Sequence, residues 1–222
     1  MNVFAVVPAY NEEKTVADVV RSLGPVTNRV IVVDDGSIDR TGPEACGAGA
    51  LVLRHFINRG LGAAIGTGLR HALDLNADVI LTFDADGQHR AEDVPSLVKP
   101  LLDGRADVAI GVRTIDRHLM PRSRRTANWI GNALTFTLFG LWVQDSQSGL
   151  RAFTSSAASC FDLRCDRMDV SSEIVHEIRR HRLRLHEQPI RPDYTPYSLS
   201  KGQGFVMGLK TAGRLVLHRV MR

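Results

Sequence analysis

"VFAVVPAYNEEKTVADVVRSLGPVTNRVIVVDDGS", residues 3–37, is the stretch whose reading decides the fold. It opens on a run of β-branched, aromatic and small apolar residues that ends around Pro8. A helical pattern follows. Val16, Val19, Val20 and Leu23 share one face, and Glu12 and Glu13 precede it, where the helix dipole favours acids. A second apolar run, "RVIVVDDGS", completes a strand–helix–strand unit. Strands that are apolar throughout need cover on both faces, which points to a mainly parallel sheet flanked by helices, an α/β fold.

The alternation continues outward. A short helix is expected near 39–48, then strand "ALVLRHF" (50–56), helix "GLGAAIGTGLRHAL" (60–73) and strand "DVILTFDADG" (78–87). Helix "AEDVPSLVKPLL" (91–102) and strand "ADVAIGVR" (106–113) follow. Ligands of such sheets bind beyond the carboxyl ends of the strands. The polar signals collect there: Pro8, Tyr10, Asn11 and Glu12 after the first strand, and Asp34 to Ser37 after the second. Asn58 to Gly62 follow the third, Asp84 to Gln88 the fourth, and Arg113 ends the fifth.

Beyond residue 114 the pattern changes. A basic loop "RHLMPRSRR" (117–125) leads into the uncharged "ANWIGNALTFTLFGLWV" (127–143) and then "QDSQSGLRAF" (144–153). The uncharged stretch is interrupted by Asn128, Asn132, two Thr and two Gly. It is expected to be a helix buried in protein or touching a membrane surface rather than a spanning segment, which needs roughly 18 to 20 apolar residues. A helix near 170–182 and a strand "LRLHEQPI" (183–190) come next. The tail from Lys201 has no acidic residue, and its apolar face opposes Lys210, Arg214, His218 and Arg222. The expected organisation is one domain over 1–200 and a basic amphipathic helix over 201–222, suited to an anionic lipid surface.

The 222 residues carry a net charge of +4, 44% hydrophobic residues and 23% charged residues. That suits a globular domain with an anionic ligand or surface, and no nucleic-acid partner is expected. Cys46, Cys160 and Cys165 form no CxxC pair and are expected to be reduced thiols of a cytoplasmic protein, not a disulfide frame or a zinc site. No secretory leader is visible.

Asp84 and Asp86 raise the chemical question. Two carboxylates this close repel, and burial worsens the repulsion. If strand geometry persists they point to one side, and a hard divalent cation that also takes phosphate oxygens would relieve them. A pair of loop acids capping the next helix is the alternative. The calcium-loop pattern and the Gly-rich Lys-Ser/Thr phosphate loop are both missing.

"VVPAYNEEKTV", "IVVDDGSIDRT", "NRGLGAAIGTGL" and "FDADGQH" occur in that order and spacing. Together they resemble glycosyltransferase family 2, and within it the dolichyl-phosphate mannose synthase-like polyprenyl-phosphate glycosyltransferases. The resemblance covers about residues 1 to 155. It implies a GT-A fold, Rossmann-like with a mainly parallel sheet, and an inverting, Mg²⁺- or Mn²⁺-dependent transfer from a nucleoside-diphosphate sugar. By motif it places Pro8, Tyr10 and Glu12 around the base and ribose, Asp35 at the base, and Asp84 with Ala85 near the ribose and diphosphate. Gly62 would allow close backbone approach to the nucleotide, or tight helix–sheet packing. Asp84, Asp86 and Gln88 would hold the metal. Arg113 and Arg125 would stand at the phosphates and act as catalytic cations with Asp86.

A lipid phosphate acceptor is already anionic and needs cations rather than a base. Arg113, Arg125 and Lys201 are the expected acceptor-phosphate residues, and Asp145 the candidate base should the acceptor be a saccharide hydroxyl. The C-terminal likeness is thinner: Ser200 and Lys201 fit, but Thr195 stands where an arginine is expected. The implied enzyme works on a hexose (glucose or mannose) at the cytoplasmic face of a membrane, with room for a small membrane-anchoring partner. A saccharide-hydroxyl transferase of cell-wall or exopolysaccharide synthesis and a non-catalytic nucleotide-sugar-binding subunit are the alternatives.

Overall fold

The computed structural model describes residues 1–113, 136, 137, 140–167, 169–191 and 193. In chain order the elements are β1 (Val3–Ala9), α1 (Val16–Leu23), β2 (Arg29–Asp34), α2 (Thr41–Gly47), β3 (Leu51–Arg54) and α3 (Leu61–Asp74). There follow β4 (Val79–Thr82), a 3₁₀ turn (Ala91–Asp93), α4 (Val94–Leu102), β5 (Val108–Arg113), β6 (Arg151–Thr154), α5 (Ser155–Cys160), α6 (Val170–Arg180) and β7 (Leu185–Ile190).

The strands form one sheet in the order β3-β2-β1-β4-β6-β5-β7. Every pairing is parallel except those of β6, which runs antiparallel to both β4 and β5. β1 shows why both faces must be covered. Val3, Ala5, Val7 and Ala9 belong to one core with α1 and α4, while Phe4 and Val6 belong to the other with α3 and α6. The strand is therefore apolar at consecutive positions, as its period of two requires.

α1 turns Val16, Val19, Val20 and Leu23 into the first core, and each such side chain contributes about 1.5–3 kcal/mol on burial. Gly24 and Pro25 follow its last turn, and proline cannot continue a helix. Val20→Asp would place an unpaired charge in that core. On the other face α3 lies so close to β1 that a Cβ on Gly68 would fall 2.2 Å from Val6 Cγ1. Any larger residue there would push the helix off the sheet.

Three expectations change. β4 ends at Thr82, so Asp84 and Asp86 sit in the loop and turn after it, and strand alternation does not set their directions. The stretch "RAFT" (151–154), which begins within 144–153, is a central strand, β6. Of the uncharged 127–143 segment, Phe136 and Thr137 are helical but residues 140–143 are not, and the rest of it lies outside the described residues. So do the basic loop with Arg125, and Lys201 with the whole 201–222 tail. Among the described residues no helix is long and apolar enough to cross a membrane.

Candidate active site

The loops after β1 and β2 fasten to one another. Asn11, held at φ 55°, donates its backbone N–H to Ser37 Oγ at 3.0 Å, and its side-chain oxygen accepts from Ile38 N at 3.1 Å. Glu12 N donates to Thr41 Oγ1 at 2.8 Å, and Arg40 N to Glu13 Oε2 at 3.1 Å. The two motifs are thus one cross-linked rim. Glu12 is buried and also takes the Thr15 hydroxyl, so it helps to build the rim. Pro8 is half-buried within β1, and Tyr10 is exposed beside the rim, available to a flat ring.

Asp35 is more heavily used by the chain than its expected contact with the base implies. It accepts from His55 Nδ1 at 2.7 Å, Arg59 N at 2.9 Å and Gly60 N at 2.7 Å. Two carboxylate oxygens have about four acceptor positions, so about one remains for a ligand. Asp35 therefore folds the 55–60 loop.

Glycine at 62 has a reason within the chain. A Cβ there would fall 1.7 Å from the Cys165 carbonyl oxygen, and Gly62 N donates to Asp166 O at 2.8 Å. Residues 165–166 approach it there and cap the start of α3. Behind them, Glu173 Oε2 accepts from Arg164 N and Cys165 N at 3.0 and 2.8 Å.

Asp84 and Asp86 differ sharply. Burial pushes the Asp84 carboxyl up, but the hydrogen bond and charge of His89 and the charges of Arg151 and Arg113 outweigh it and hold it below the usual carboxylate range. Burial and then the Asp84 charge push the Asp86 carboxyl up, opposed by the hydrogen bond from Gln88 N. Gln88 folds back on its neighbour: its backbone N–H meets Asp86 Oδ1 at 3.0 Å and its side-chain Nε2 meets Oδ2 at 2.7 Å. Ala85 between the two acids is buried. Among the described residues no group of three or more His, Cys, Asp or Glu is placed to hold a metal. The donor set here is smaller, two carboxylates and one amide, all oxygen donors that suit a hard cation with open positions.

Arg113 and Asp145 come together. Arg113 Nε and Nη2 meet the two Asp145 oxygens at 2.6 and 2.8 Å, a bidentate pair with both side chains largely buried. The candidate base and the candidate phosphate cation are partners in the described chain.

His89 was not singled out by sequence, and Gly149 and Arg151 were noted only as part of "QDSQSGLRAF". His89 is buried, with Nε2 3.2 Å from Asp84 Oδ2 and its ring edge-on to Phe83. Gly149 lies against Asp84: a Cβ there would fall 2.0 Å from Asp84 Oδ2. Arg151 is the largest fully buried side chain. An arginine inside the apolar run "LRAF" was the available signal for it.

The sequence model for Glycosyl transferase family 2 matches residues 4–159. Among relatives, an uncharacterized protein of Methanocaldococcus jannaschii is 43% identical over 98% of this chain and 92% of its own length. The UDP-N-acetylglucosamine–dolichyl-phosphate N-acetylglucosaminyltransferase of Methanococcus voltae is 33% identical over 98% of this chain and 96% of its own. An undecaprenyl-phosphate mannosyltransferase of Micrococcus luteus is 32% identical over 73% and 70%. In three dimensions the fold is similar to that of Mycobacterium tuberculosis glucosyl-3-phosphoglycerate synthase, crystallised with Mn²⁺, UDP-glucose and phosphoglyceric acid. The TM-score is 0.77 at 20% identity, over 98% of this chain and 79% of that one. The sheet is therefore of the GT-A type, and with most of its length matched by the family model and by such relatives, this chain belongs to glycosyl transferase family 2 and is a glycosyltransferase.

Proposed function

We propose that the chain moves a hexose from a nucleoside-diphosphate sugar to a polyprenyl phosphate, with inversion at the anomeric carbon. The observation that carries the reading is the unequal acid pair at the end of β4, one carboxyl held low and its neighbour raised. Such a pair is an anionic site with unrelieved repulsion, beside the rim where β1 and β2 end. Named relatives act on dolichyl or undecaprenyl phosphate, and the solved neighbour is named with Mn²⁺ and UDP-glucose.

Asp84, Asp86 and the Gln88 amide oxygen fit a divalent Mg²⁺ or Mn²⁺ ion. When bound, such an ion supplies charge neutralisation for the departing nucleoside diphosphate. Asp84 and Asp86 orient the donor end of the site, and Gln88 holds Asp86 through two hydrogen bonds. Pro8, Tyr10, Glu12 and Asp35 frame the nucleoside, with Tyr10 offering its exposed ring. Arg113, fixed by Asp145, presents positive charge toward the phosphates, and Arg125 and Lys201 are the further cations assigned to the acceptor phosphate. A phosphate monoester is anionic near neutral pH, so no residue has to remove a proton from it. Asp145, with both oxygens on Arg113, is a weak candidate for that task. The basic 201–222 tail brings the site to the lipid.

The test is incubation of the purified chain with labelled UDP- and GDP-hexoses, Mn²⁺ and polyprenyl phosphate, followed by solvent extraction. Label in the organic phase is expected. Label confined to water-soluble glycan would reject the lipid acceptor, and nucleotide binding without turnover of any donor would favour a non-catalytic subunit.

A further inference from the structure

β6 is the one antiparallel strand among the described residues, and Arg151 lies level with Thr82 of β4 on one side and Ile110 of β5 on the other. It therefore sits between the strand that ends near Asp84 and the strand that ends at Arg113. Its side chain is only 1% exposed. Nη2 donates to the Ser146 carbonyl at 3.0 Å, and Nε has no partner among the described residues. Burial lowers its pKa to about 10, so it stays cationic at neutral pH, favoured by the charges of Asp84 and Asp145 and opposed by that of Arg113. Acids and arginines thus alternate from Asp84 through Arg151 and Asp145 to Arg113.

Residues 145–149 form the loop that this arginine holds. Asp145 pairs with Arg113, Ser146 accepts from Arg151, and Thr82 Oγ1 donates to the Gly149 carbonyl at 2.8 Å. Gly149 then lies directly on the Asp84 carboxylate. A buried ion network of this kind is costly, and an apolar side chain of similar volume would stabilise the fold as well or better. Packing alone gives little reason for an arginine.

We propose that Arg151 is a positioning residue: by balancing Asp84 and Asp145 and holding the Ser146 carbonyl, it fixes the Asp84 carboxylate for the divalent cation and keeps it in register with the Arg113–Asp145 pair. The inference rests on the donor-site reading above and adds the element that couples its two sides. Loss of a residue that orients a metal ligand commonly weakens metal affinity by about 10- to 100-fold. A pure charge effect has the opposite sign, because deleting a cation beside an acid pair favours Mn²⁺.

Mn²⁺ affinity of the full chain, with and without UDP, is measured by electron paramagnetic resonance for wild type, Arg151→Met and Arg151→Lys. The expected result is affinity weaker by about tenfold or more in Arg151→Met, partial recovery in Arg151→Lys, and a melting temperature that does not fall in step. kcat should drop more than donor KM rises. Should Arg151→Met fail to fold, Arg151→Lys alone decides, since it keeps the charge but not the guanidinium that reaches the Ser146 carbonyl. Unchanged or tighter Mn²⁺ binding in the folded variants overturns the proposal. Wild type that binds Mn²⁺ but transfers no sugar overturns the proposed reaction and leaves the ratio between variants to judge Arg151. Wild type that binds no Mn²⁺ overturns both.

Discussion

On the β1–β2 side of the site, short hydrogen bonds between neighbouring loops do the holding. Asp35 takes three donors from the 55–60 loop, and Asn11 and Glu12 are tied to Ser37, Ile38 and Thr41. On the β4–β6–β5 side, half-exposed Asp84 and Asp86 and half-buried Arg113 are gathered around buried Arg151 and Asp145, and the balance of charge is incomplete. The Asp86 pKa is raised, and Arg151 Nε and His89 Nδ1 are buried without a partner among the described residues. The first side is held together largely by hydrogen bonds within the chain. The second keeps electrostatic free energy that a cation and a phosphate would lower. A substitution on the first side should therefore cost mainly stability, and one on the second mainly activity.

The largest effect is expected from Asp86→Ala. Transfer of label into lipid should fall about a thousandfold, the scale of losing a major charge-stabilising element, while circular dichroism and melting stay close to wild type. Activity within tenfold of wild type would break the comparison. Asp35→Ala should cost stability as well as donor binding. Losing one carboxylate that accepts three hydrogen bonds should cost about 3 kcal/mol, read as a lower urea midpoint. A loss of turnover without loss of stability would move Asp35 to the other side of the divide.

Gly149→Ala comes next. A methyl group 2.0 Å from Asp84 Oδ2 must displace that carboxylate. A misplacement of about 1 Å can cost about a hundredfold in rate, so kcat should fall by that order with little change in melting. Unchanged kcat would mean that the Asp84 carboxylate can move without consequence.

The smallest effect concerns pH. Burial and the Asp84 charge make the folded, metal-free protein hold the Asp86 proton to higher pH than the unfolded chain does. The stability contribution of Asp86 therefore declines as pH rises from its ordinary range through the raised folded value. Asp84 behaves oppositely: its contribution is present above the ordinary range and is lost as pH falls through its lowered folded value. Metal-free Asp86→Asn should thus melt slightly higher than wild type at pH 7, the two curves should converge in acid, and Mn²⁺ should no longer raise the variant's melting temperature. Identical melting at pH 7 would show that the acid pair stores no such cost.

The β1 to β5 framework was legible because its signals are local. Apolar runs, helical spacing at Val16, Val19, Val20 and Leu23, and turn residues act over a few positions. β6 was missed because four residues give too short a run to show a period, and its place between β4 and β5 depends on pairing across about seventy residues. The acid pair was legible as a pair, and its mutual repulsion reappears as the raised Asp86. The meeting of Arg113 with Asp145 was not, since they lie 32 positions apart and nothing in either neighbourhood points to the other. The neighbours of Gly62 were hidden for a related reason. A glycine announces a close approach, but only the fold says that Cys165 and Asp166 are what approach it.

By itself the sequence determined the alternation of strand and helix, the carboxyl-end placement of its acids, and a repulsive carboxylate pair asking for a cation, because hydrophobic periodicity and neighbour charge are properties of adjacent residues. Only the tertiary structure decided which charges share a buried space. Coulomb energies depend on distance and on exclusion of water, and both are set by chain segments far apart in sequence. Asp84, Arg151, Asp145 and Arg113 become one network only once β6 is laid between β4 and β5.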